Sequence, residues 1–548
     1  MMYDYIIKPF EKALQAIGVE DVSILTFDIP KVAAHGDLST NIAMLLAKKL
    51  GKPPRTIAQE IIEKLSFKDG IVSHFEIAGA GFINVRFGAK YYELALAEMG
   101  EQHNDYGRTT SGKGLKVNVE YVSANPTGLL HIGHGRNTAI GDTVANLLEW
   151  TGHEVTREYY FNNAGNQMNN LALSIRARYH HKAGESNYPF PEDGYHGTYI
   201  QLIADELFEQ HTDSLLDDTK ETLEVFRSAG EKWCFAAIMR TLDKMNVKQD
   251  VYYNEDSLYT TGKVKKVIED LGAAGLAYDK DGAIWIALSK IDEKLTDRVI
   301  VKSSGEPTYR LPDIAYHRDK IERGFDLIVD IFGADHIATI PDVMAGVKAL
   351  GLDSSKIKVL IYQFVTLTEN GEQVKMSKRT GKSYTLDDLI EELGADVVRF
   401  FFIMRGINTH LEFDLSLARE QSDRNPVFYL QYAHARISSI FANAAGKEIS
   451  TLGNVDFSLL NHAAEWQLIR ALQRFPEAIK RASHQLEPQM IVEYLREVAS
   501  SFHTFYHECP IVRAEENLRS ARFKLLEITR IVLNNGLKIL GISAPDKM

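Results

Sequence analysis

Apolar residues recur at helical spacing over residues 3–19 (Tyr5, Ile6, Phe10, Leu14, Ile17), and the run meets a glycine at Gly18. That spacing predicts a helix with one buried face and a C-terminal stop. A second helical run, Thr40 to Leu50, ends at Gly51 and Pro53. From His74 to Phe87 the pattern alternates like a strand (Phe75, Ile77, then Phe82, Val85, Phe87) around glycines. The first hundred residues thus read as a small α+β unit, and the polar, glycine-rich stretch 103–114 as a linker. Leu115–Ser123 reads as a strand, the next seven residues as a loop, and His131 to Trp150 as a helix stopped at Gly152. Ile140, Val144, Leu147 and Leu148 lie on one face of that helix. Strand, tight loop and helix open a nucleotide-binding α/β unit. Residues 170–300 read as mostly helical and charged, with an aromatic-rich loop at 188–199. Strand patterns return at Phe325–Phe332 and Lys358–Leu367, so the simplest arrangement is one sheet whose halves are separated by a long insertion. From about Asp423 the pattern is helical to the end.

The chain has 548 residues, which predicts three or four domains. With 45% apolar and 25% charged residues it is globular, not disordered, collagen-like or coiled-coil. A net charge of −12 argues against binding nucleic acid by bulk charge alone. The segment from Asp423 departs from that balance, at +2 against −14 for the remainder, and is a candidate RNA-facing region. Cys234 and Cys509 cannot build a disulfide framework, and no CxxC pair offers a zinc site, so a reducing compartment is expected. No leader is expected: the N-terminus lacks the basic n-region and long apolar core of a signal peptide, and with Asp4, Glu11, Glu20 and Asp21 it does not read as an acid-free transit peptide. No stretch approaches the roughly 18 uncharged apolar residues of a membrane span. The expectation is a cytoplasmic protein.

Two short motifs carry chemistry. His131-Ile-Gly-His134 follows a strand at a helix start, with both histidines on one helical face. Gly133 permits close approach of a ligand, and the helix N-terminus favours a phosphate. Imidazole donors there can neutralise charge developing on an α-phosphate. The plain alternative is a pair of capping or surface histidines; zinc has no HExxH and no third ligand in its favour. Lys375-Met-Ser-Lys-Arg379, followed by Thr380-Gly381-Lys382, is a cationic loop about 240 residues downstream. Its lysines can hold the β and γ phosphates as pyrophosphate leaves; alone it would be a solvated basic loop.

In this order, one in each half of an α/β fold, the two motifs resemble the HIGH and KMSKR signatures of class I aminoacyl-tRNA synthetases. The flanks narrow the resemblance. Glu120-Tyr-Val-Ser-Ala-Asn-Pro-Thr-Gly-Leu-Leu-His-Ile-Gly-His-Gly-Arg136, Phe161-Asn-Asn-Ala-Gly-Asn-Gln167, Pro307-Thr-Tyr-Arg-Leu-Pro-Asp313 and Gly333-Ala-Asp-His336 look like arginyl-tRNA synthetases. Tyr429-Leu-Gln-Tyr-Ala-His-Ala-Arg436 resembles the start of that family's anticodon-binding domain. His35-Gly-Asp-Leu-Ser-Thr-Asn41 and Gly79–Phe87 are similar to its N-terminal tRNA-binding domain. One departure is Asn163, where the family usually has Asp.

The resemblance covers the whole chain and implies an N-terminal α+β tRNA-binding domain (1–105). A Rossmann-type α/β catalytic domain (106–424) follows, with a helical insertion at about 170–300, and then an all-α anticodon-binding domain (425–548). It implies arginine activation by ATP, with Mg2+, followed by transfer to tRNA, in a monomer. Catalysis falls to His131, His134 and Lys378. ATP binding falls to Asn125, Pro126, Thr127, Gly128, Gly133, Gly333, Asp335 and His336 with the same histidines and Lys375, Met376, Ser377 and Lys378. Recognition of a guanidinium requires a carboxylate fork, for which Glu120 and Asp313 are the candidates. By resemblance Asp313 takes the guanidinium beside Tyr309, Glu120, Ser123 and Asn125 lie toward the amino acid's polar end, and Gln363 contributes. Without the resemblance, Asp313 reads as a helix N-cap after Pro312. The implied tRNA contacts are Asn41, Phe82, Asn84, Tyr429, Tyr432 and Arg436, although by spacing the last three read as core and interface. The resemblance also implies that adenylate forms only with tRNA bound. Two other classes remain: a small-molecule nucleotidyltransferase with an HxGH element, and a catalytically dead RNA-binding relative. The remaining features read as ordinary structure: His180-His181 as exposed helix surface, Phe400-Phe401-Phe402 as core and Cys234 as a buried thiol.

Overall fold

A computed structural model describes residues 4–28, 30, 35–68, 70–374, 384–444 and 455–548. Its first unit contains α1 (Asp4–Ala16), β1 (Leu38–Thr40), α2 (Ile42–Leu50), α3 (Pro54–Lys64), β2 (Val72–Ala78), β3 (Phe82–Phe87) and α4 (Ala89–Gln102). The sequence alternation at 74–87 resolves into two antiparallel strands rather than one, with Ile77 opposite Ile83 and Phe75 opposite Val85. The glycines in the pattern are the turn. Gly81 has φ +132, and a Cβ there would strike Pro54. Strand order is β1-β3-β2, and Phe10 of α1 packs edge-on against Phe27, Phe67 and Phe75 beneath the sheet. The linker is pinned. Tyr106 is buried, its hydroxyl donates to the Leu472 carbonyl (3.0 Å), and its own carbonyl accepts from Asn535 Nδ2 (3.0 Å).

The central unit is built from β4 (Lys116–Glu120), α5 (Ile132–Trp150), β5 (Glu154–Phe161), α6 (Gly165–Lys182), α7 (Thr198–His211), α8 (Lys220–Lys244), β6 (Val251–Asn254), α9 (Asp256–Thr260) and α10 (Lys263–Ala273). It continues through β7 (Ala277–Lys280), β8 (Ala283–Ile286), β9 (Arg298–Val301), α11 (Arg310–Glu322), β10 (Leu327–Gly333), α12 (Ile340–Ala349) and β11 (Ile357–Tyr362). Five strands in the order β11-β10-β4-β5-β6 pair in parallel throughout. The order reverses between β4 and β10, the switch point where such sheets bind ligands. The 170–300 segment is less helical than its pattern suggests: β6 is the sheet's edge strand, and β7-β8-β9 make a separate antiparallel sheet. These strands are four residues each, too short for periodicity to separate from charged helix. His180 is buried, not exposed; its ring stacks on Tyr188 and its Nδ1 lies 2.7 Å from Glu185. Cys234 is buried as expected.

The predicted strand 358–367 is broken. After β11 the chain turns at Gln363–Phe364, and β12 (Val365–Glu369) pairs in a second sheet with β13 (Glu372–Gln373) and, in parallel, with β14 (Leu411–Asp414). Between them lie α13 (Leu386–Leu393) and α14 (Ala395–Ile403), whose Phe400, Phe401 and Phe402 are fully buried. After α15 (Leu415–Arg419), the C-terminal part is α16 (Pro426–Ala444), α17 (Ala463–Gln473), α18 (Phe475–Gln485), α19 (Gln489–Glu508) and α20 (Glu516–Ile539). Among the described residues, no helix is long and apolar enough to cross a membrane.

Candidate active site

Strand β4 ends at Glu120, and the chain then turns sharply. Val122 (φ +69) and Ser123 (φ +44) are both left-handed, and Ser123 N–H donates to the Tyr121 carbonyl (3.0 Å). That is a γ-turn of the rare positive-φ kind, costly for a β-branched residue. It is held from outside: Asn137 of α5 accepts from Val122 N–H (2.7 Å) and donates to the Ile331 carbonyl of β10 (2.8 Å). The turn aims the following loop across the strand ends. Asn125 Oδ1 accepts from Asn162 N–H (3.0 Å), and its Nδ2 donates to Gln167 (2.9 Å). The Thr127 carbonyl, between Pro126 and Gly128, accepts from Tyr199 (2.8 Å). Asn163 donates to Glu231 (2.8 Å), a bond that an ionised Asp could not make.

His131 is the N-cap of α5, and both histidines are capping residues. His131 Nδ1 accepts from Gly133 N–H (3.1 Å) and more weakly from His134 N–H (3.4 Å), while His134 Nδ1 accepts from His131 N–H (3.3 Å). The rings stack at 3.7 Å. The capping reading of the motif is thus borne out, and it uses the Nδ1 side of both rings. Because each Nδ1 accepts, each ring carries its proton on Nε2. Burial, with His131 alongside, pushes His134 down to about 3, so it is a neutral donor at pH 7. First-turn N–H groups expected to meet a phosphate directly are engaged by His131.

The second half of the sheet supplies Gly333, Asp335 and His336 just past β10, with His336 stacked on Phe332 at 5.2 Å and both Asp335 and His336 exposed. Lys375, Met376, Ser377 and Lys378 lie outside the described residues. The chain just beyond them returns to the histidines: Leu386 N–H donates to the Leu130 carbonyl (2.9 Å), and Thr385 forms a β-bridge with His131. Arg136, fully buried one turn into α5, donates to the carbonyls of Gln363 (2.6 Å), Gly406 (3.1 Å), Ile407 (3.3 Å) and Thr409 (2.9 Å). Both flanks of the loop are thus fastened to the helix that begins at His131.

Beside the γ-turn, acidic groups gather about the start of α11. Tyr309 is the helix's N-cap and is 82% exposed, and Asp313 sits in the first turn rather than at the cap. Burial, with Glu120, Glu255 and Asp330 nearby, pushes Asp313 up to about 7, although His317 opposes it. Glu255 was not singled out in the sequence. It precedes α9, accepts from Tyr160 (2.7 Å) and Tyr259 (3.5 Å), and is raised by burial. Only the fold brings Glu255 to Asp313, 58 positions away; a lone Glu between strand and helix gives no signal. Glu120 is buried, with Ser123 Oγ donating to one oxygen (2.9 Å) and Lys320 to the other (2.5 Å). Gln363 is half-buried.

The residues implied to meet tRNA divide. Phe82 is exposed and Asn41 half-buried, but Asn84 is buried, with Oδ1 accepting from Ser39 (2.7 Å). On the C-terminal helices, Tyr429 and Tyr432 flank His503, and the Arg436 guanidinium lies between the Tyr432 and Tyr506 rings, 4.9 Å from each. All three are half-buried, an interface position as their spacing suggests.

Comparison with known proteins agrees along the chain. Residues 4–87 match the arginyl tRNA synthetase N terminal domain, 96–399 the catalytic domain of class I (R) tRNA synthetases, and 430–548 the DALR anticodon binding domain. The arginine--tRNA ligase of Salinibacter ruber is 47% identical over 565 residues, covering 100% of both chains. That of Chlorobaculum tepidum is 48% identical over 549 residues, covering 98% of this chain and 99% of the relative. The fold is that of Thermus thermophilus arginyl-tRNA synthetase, with a TM-score of 0.76 at 22% identity and 100% of each chain covered. With the histidine-capped helix at the switch point of the sheet, these matches establish that the chain belongs to the arginyl-tRNA synthetase family.

Proposed function

We propose that the chain activates L-arginine with ATP to arginyl-adenylate and pyrophosphate, then transfers arginine to the 3′-terminal adenosine of arginine tRNA. The observation that carries this reading is the pairing of sites. Asp313 and Glu255 have no ion-pair partner among the described residues, and they cluster with Glu120, which Ser123 binds in the turn that leads to the two imidazoles beginning α5. Such a cluster selects a cation, and the planar guanidinium suits a carboxylate fork. In this reading Asp313, Glu255 and Tyr309 hold the side chain. Glu120, Ser123, Asn125 and Gln363 serve the polar end.

ATP lies across the strand ends on residues 125–128, 133 and 333–336. An arginine carboxylate oxygen attacks the α-phosphorus, and the bond to the β-phosphate's bridging oxygen breaks. The Nε2–H groups of His131 and His134 stabilise charge on the α-phosphate, and Lys375–Lys378 hold the departing pyrophosphate. Among the described residues no three His, Cys, Asp or Glu side chains converge on a metal site; Mg2+ is best placed on ATP, as part of the substrate. We divide the chain into tRNA-binding (1–105), catalytic (106–424) and anticodon-binding (425–548) parts, acting as a cytoplasmic monomer. ATP–pyrophosphate exchange tests the reading: it should depend on arginine, with tRNA present, and lysine should not replace it. Arginine-independent exchange, or none with tRNA, overturns it.

A further inference from the structure

Asp330, Glu120 and Glu158 are directly paired in register on β10, β4 and β5, three carboxylates abreast on neighbouring strands. All three are buried. Left alone, such a row would be strongly unfavourable. Helix α11 lies over it and brings one group to each position. His317 Nε2 meets Asp330 (2.9 Å), Lys320 Nζ bridges Asp330 (2.6 Å) and Glu120 (2.5 Å), and Arg323 takes both oxygens of Glu158 (2.6 and 2.7 Å). The spacing is three residues each time, one face of a helix. His317 Nδ1 also lies 2.7 Å from the Asp313 carbonyl, so both ring nitrogens face acceptors and the ring is an imidazolium. Burial alone would lower its pKa, but Asp330 outweighs it and the pKa is raised. Three acids thus meet three cations; Arg323 Nε also meets Asp319 (3.1 Å), which Lys263 balances, and burial pushes Glu120 up against the pull of Lys320.

We infer that His317, Lys320 and Arg323 are positioning residues: by matching the carboxylate row one for one, they fix the register of α11 and so place Asp313 and Tyr309 at the guanidinium. The match also leaves Asp313 and Glu255 as acids of the region without an ion pair among the described residues, so that the arginine guanidinium supplies a positive charge they lack. This inference rests on the arginine pocket proposed above. A shift of α11 by one residue would break all three pairs at once and rotate Asp313 by about 100°, which is why the row specifies one register.

The test uses the full-length enzyme with tRNA, measuring KM for arginine and for ATP alongside kcat and a thermal midpoint. Lys320→Met should raise the arginine KM about thirtyfold while the ATP KM moves less than about threefold. Lys320→Arg keeps the charge and two donors and should recover most of the loss. Should Lys320→Met fail to fold, Arg323→Gln stands in, because Arg323 is 28% exposed; it should raise the arginine KM about fivefold. Asp313→Asn is run in parallel. If it leaves the arginine KM unchanged, the pocket itself is wrong. If it raises that KM while the Lys320 and Arg323 variants lower only the thermal midpoint, or move both KM values together, the positioning role is overturned.

Discussion

Because His131 and His134 each use Nδ1 to accept from the backbone, capping takes one side of each ring and the proposed chemistry would take the other. The two roles can be separated. Asn at 134 keeps an acceptor near Nδ1 but has nothing at Nε2. His134→Asn should therefore hold its thermal midpoint within a few degrees yet slow adenylate formation about 10²–10³-fold, the usual cost of one transition-state donor. Single-turnover activation at saturating ATP measures it, and an unchanged rate would remove His134 from the chemistry. At Asp313 the argument runs through protonation. A carboxyl pushed up to about 7 keeps its proton below that pH, whereas a guanidinium needs the ionised form. Arginine binding must then expel a proton in acid and none in base. The arginine KM should be flat above about pH 8 and rise about tenfold per unit as pH falls below 7. Asp313→Asn should lose this slope and at least about tenfold in kcat/KM at pH 8, since a charge-assisted pair contributes roughly 1.5–3 kcal/mol. A slope that persists in the variant would assign the titration to another group.

At the scale of elements, the sequence shows its strongest features where pattern and motif are local. The helix beginning at His131 and the strand before it are legible because apolar spacing, a loop and a stop at Gly152 agree. Strands of four residues, β6 to β9, are hidden inside a charged helical pattern, and the break between β11 and β12 looks like one apolar run. The site divides the same way. His131, Asp313 and Gly333 stand in motifs, while Glu255, Lys320 and Asp330 are joined only by strand order and helix register. Arg136 shows what that costs a reader: its residue type suggests a phosphate or carboxylate partner, yet it holds four carbonyls on segments 227 to 273 positions away. Burial pushes its pKa down to about 10, leaving it charged. Arg136→Met strands those acceptors and should cost about 2–4 kcal/mol of stability. It should also raise both KM values, that for arginine because it frees Gln363 and that for ATP because it frees the segment that leads to residue 375. A variant with wild-type ATP kinetics would show that the helix and that segment need no such tie.

Across the whole molecule, one guanidinium connects the C-terminal helices to the helix that begins at His131. Arg399 of α14 is buried, pairs with Asp142 of α5 (2.5 Å), and donates to the Leu540 carbonyl just past α20 (3.1 Å) and to Met245 after α8 (2.8 Å). A Cβ at Gly541, where φ is +68, would run into that guanidinium. Asp396, one turn earlier in α14, accepts from Ser543 N–H (3.1 Å) and from Gln431 of α16 (2.8 Å). Force or ordering in the C-terminal helices therefore reaches α5 through two short contacts, not only along the chain between residue 384 and α16. That would give the tRNA requirement implied by the resemblance a physical route: RNA held by the C-terminal helices would shift the population toward an arrangement of α5 that closes on ATP. We expect negligible arginine-dependent pyrophosphate exchange without tRNA and rapid exchange once arginine tRNA is added. A tRNA whose terminal ribose is oxidised, and so cannot accept arginine, should still stimulate exchange. Asp396→Ala unties Ser543 and Gln431 without touching the pocket. It should bind tRNA within about threefold of wild type while tRNA-stimulated exchange falls about tenfold, a coupling of about 1.4 kcal/mol, within the ordinary range between distant sites. Equal stimulation in the variant and wild type would mean that the signal travels by another path, and rapid exchange with no RNA present would mean that no signal is needed.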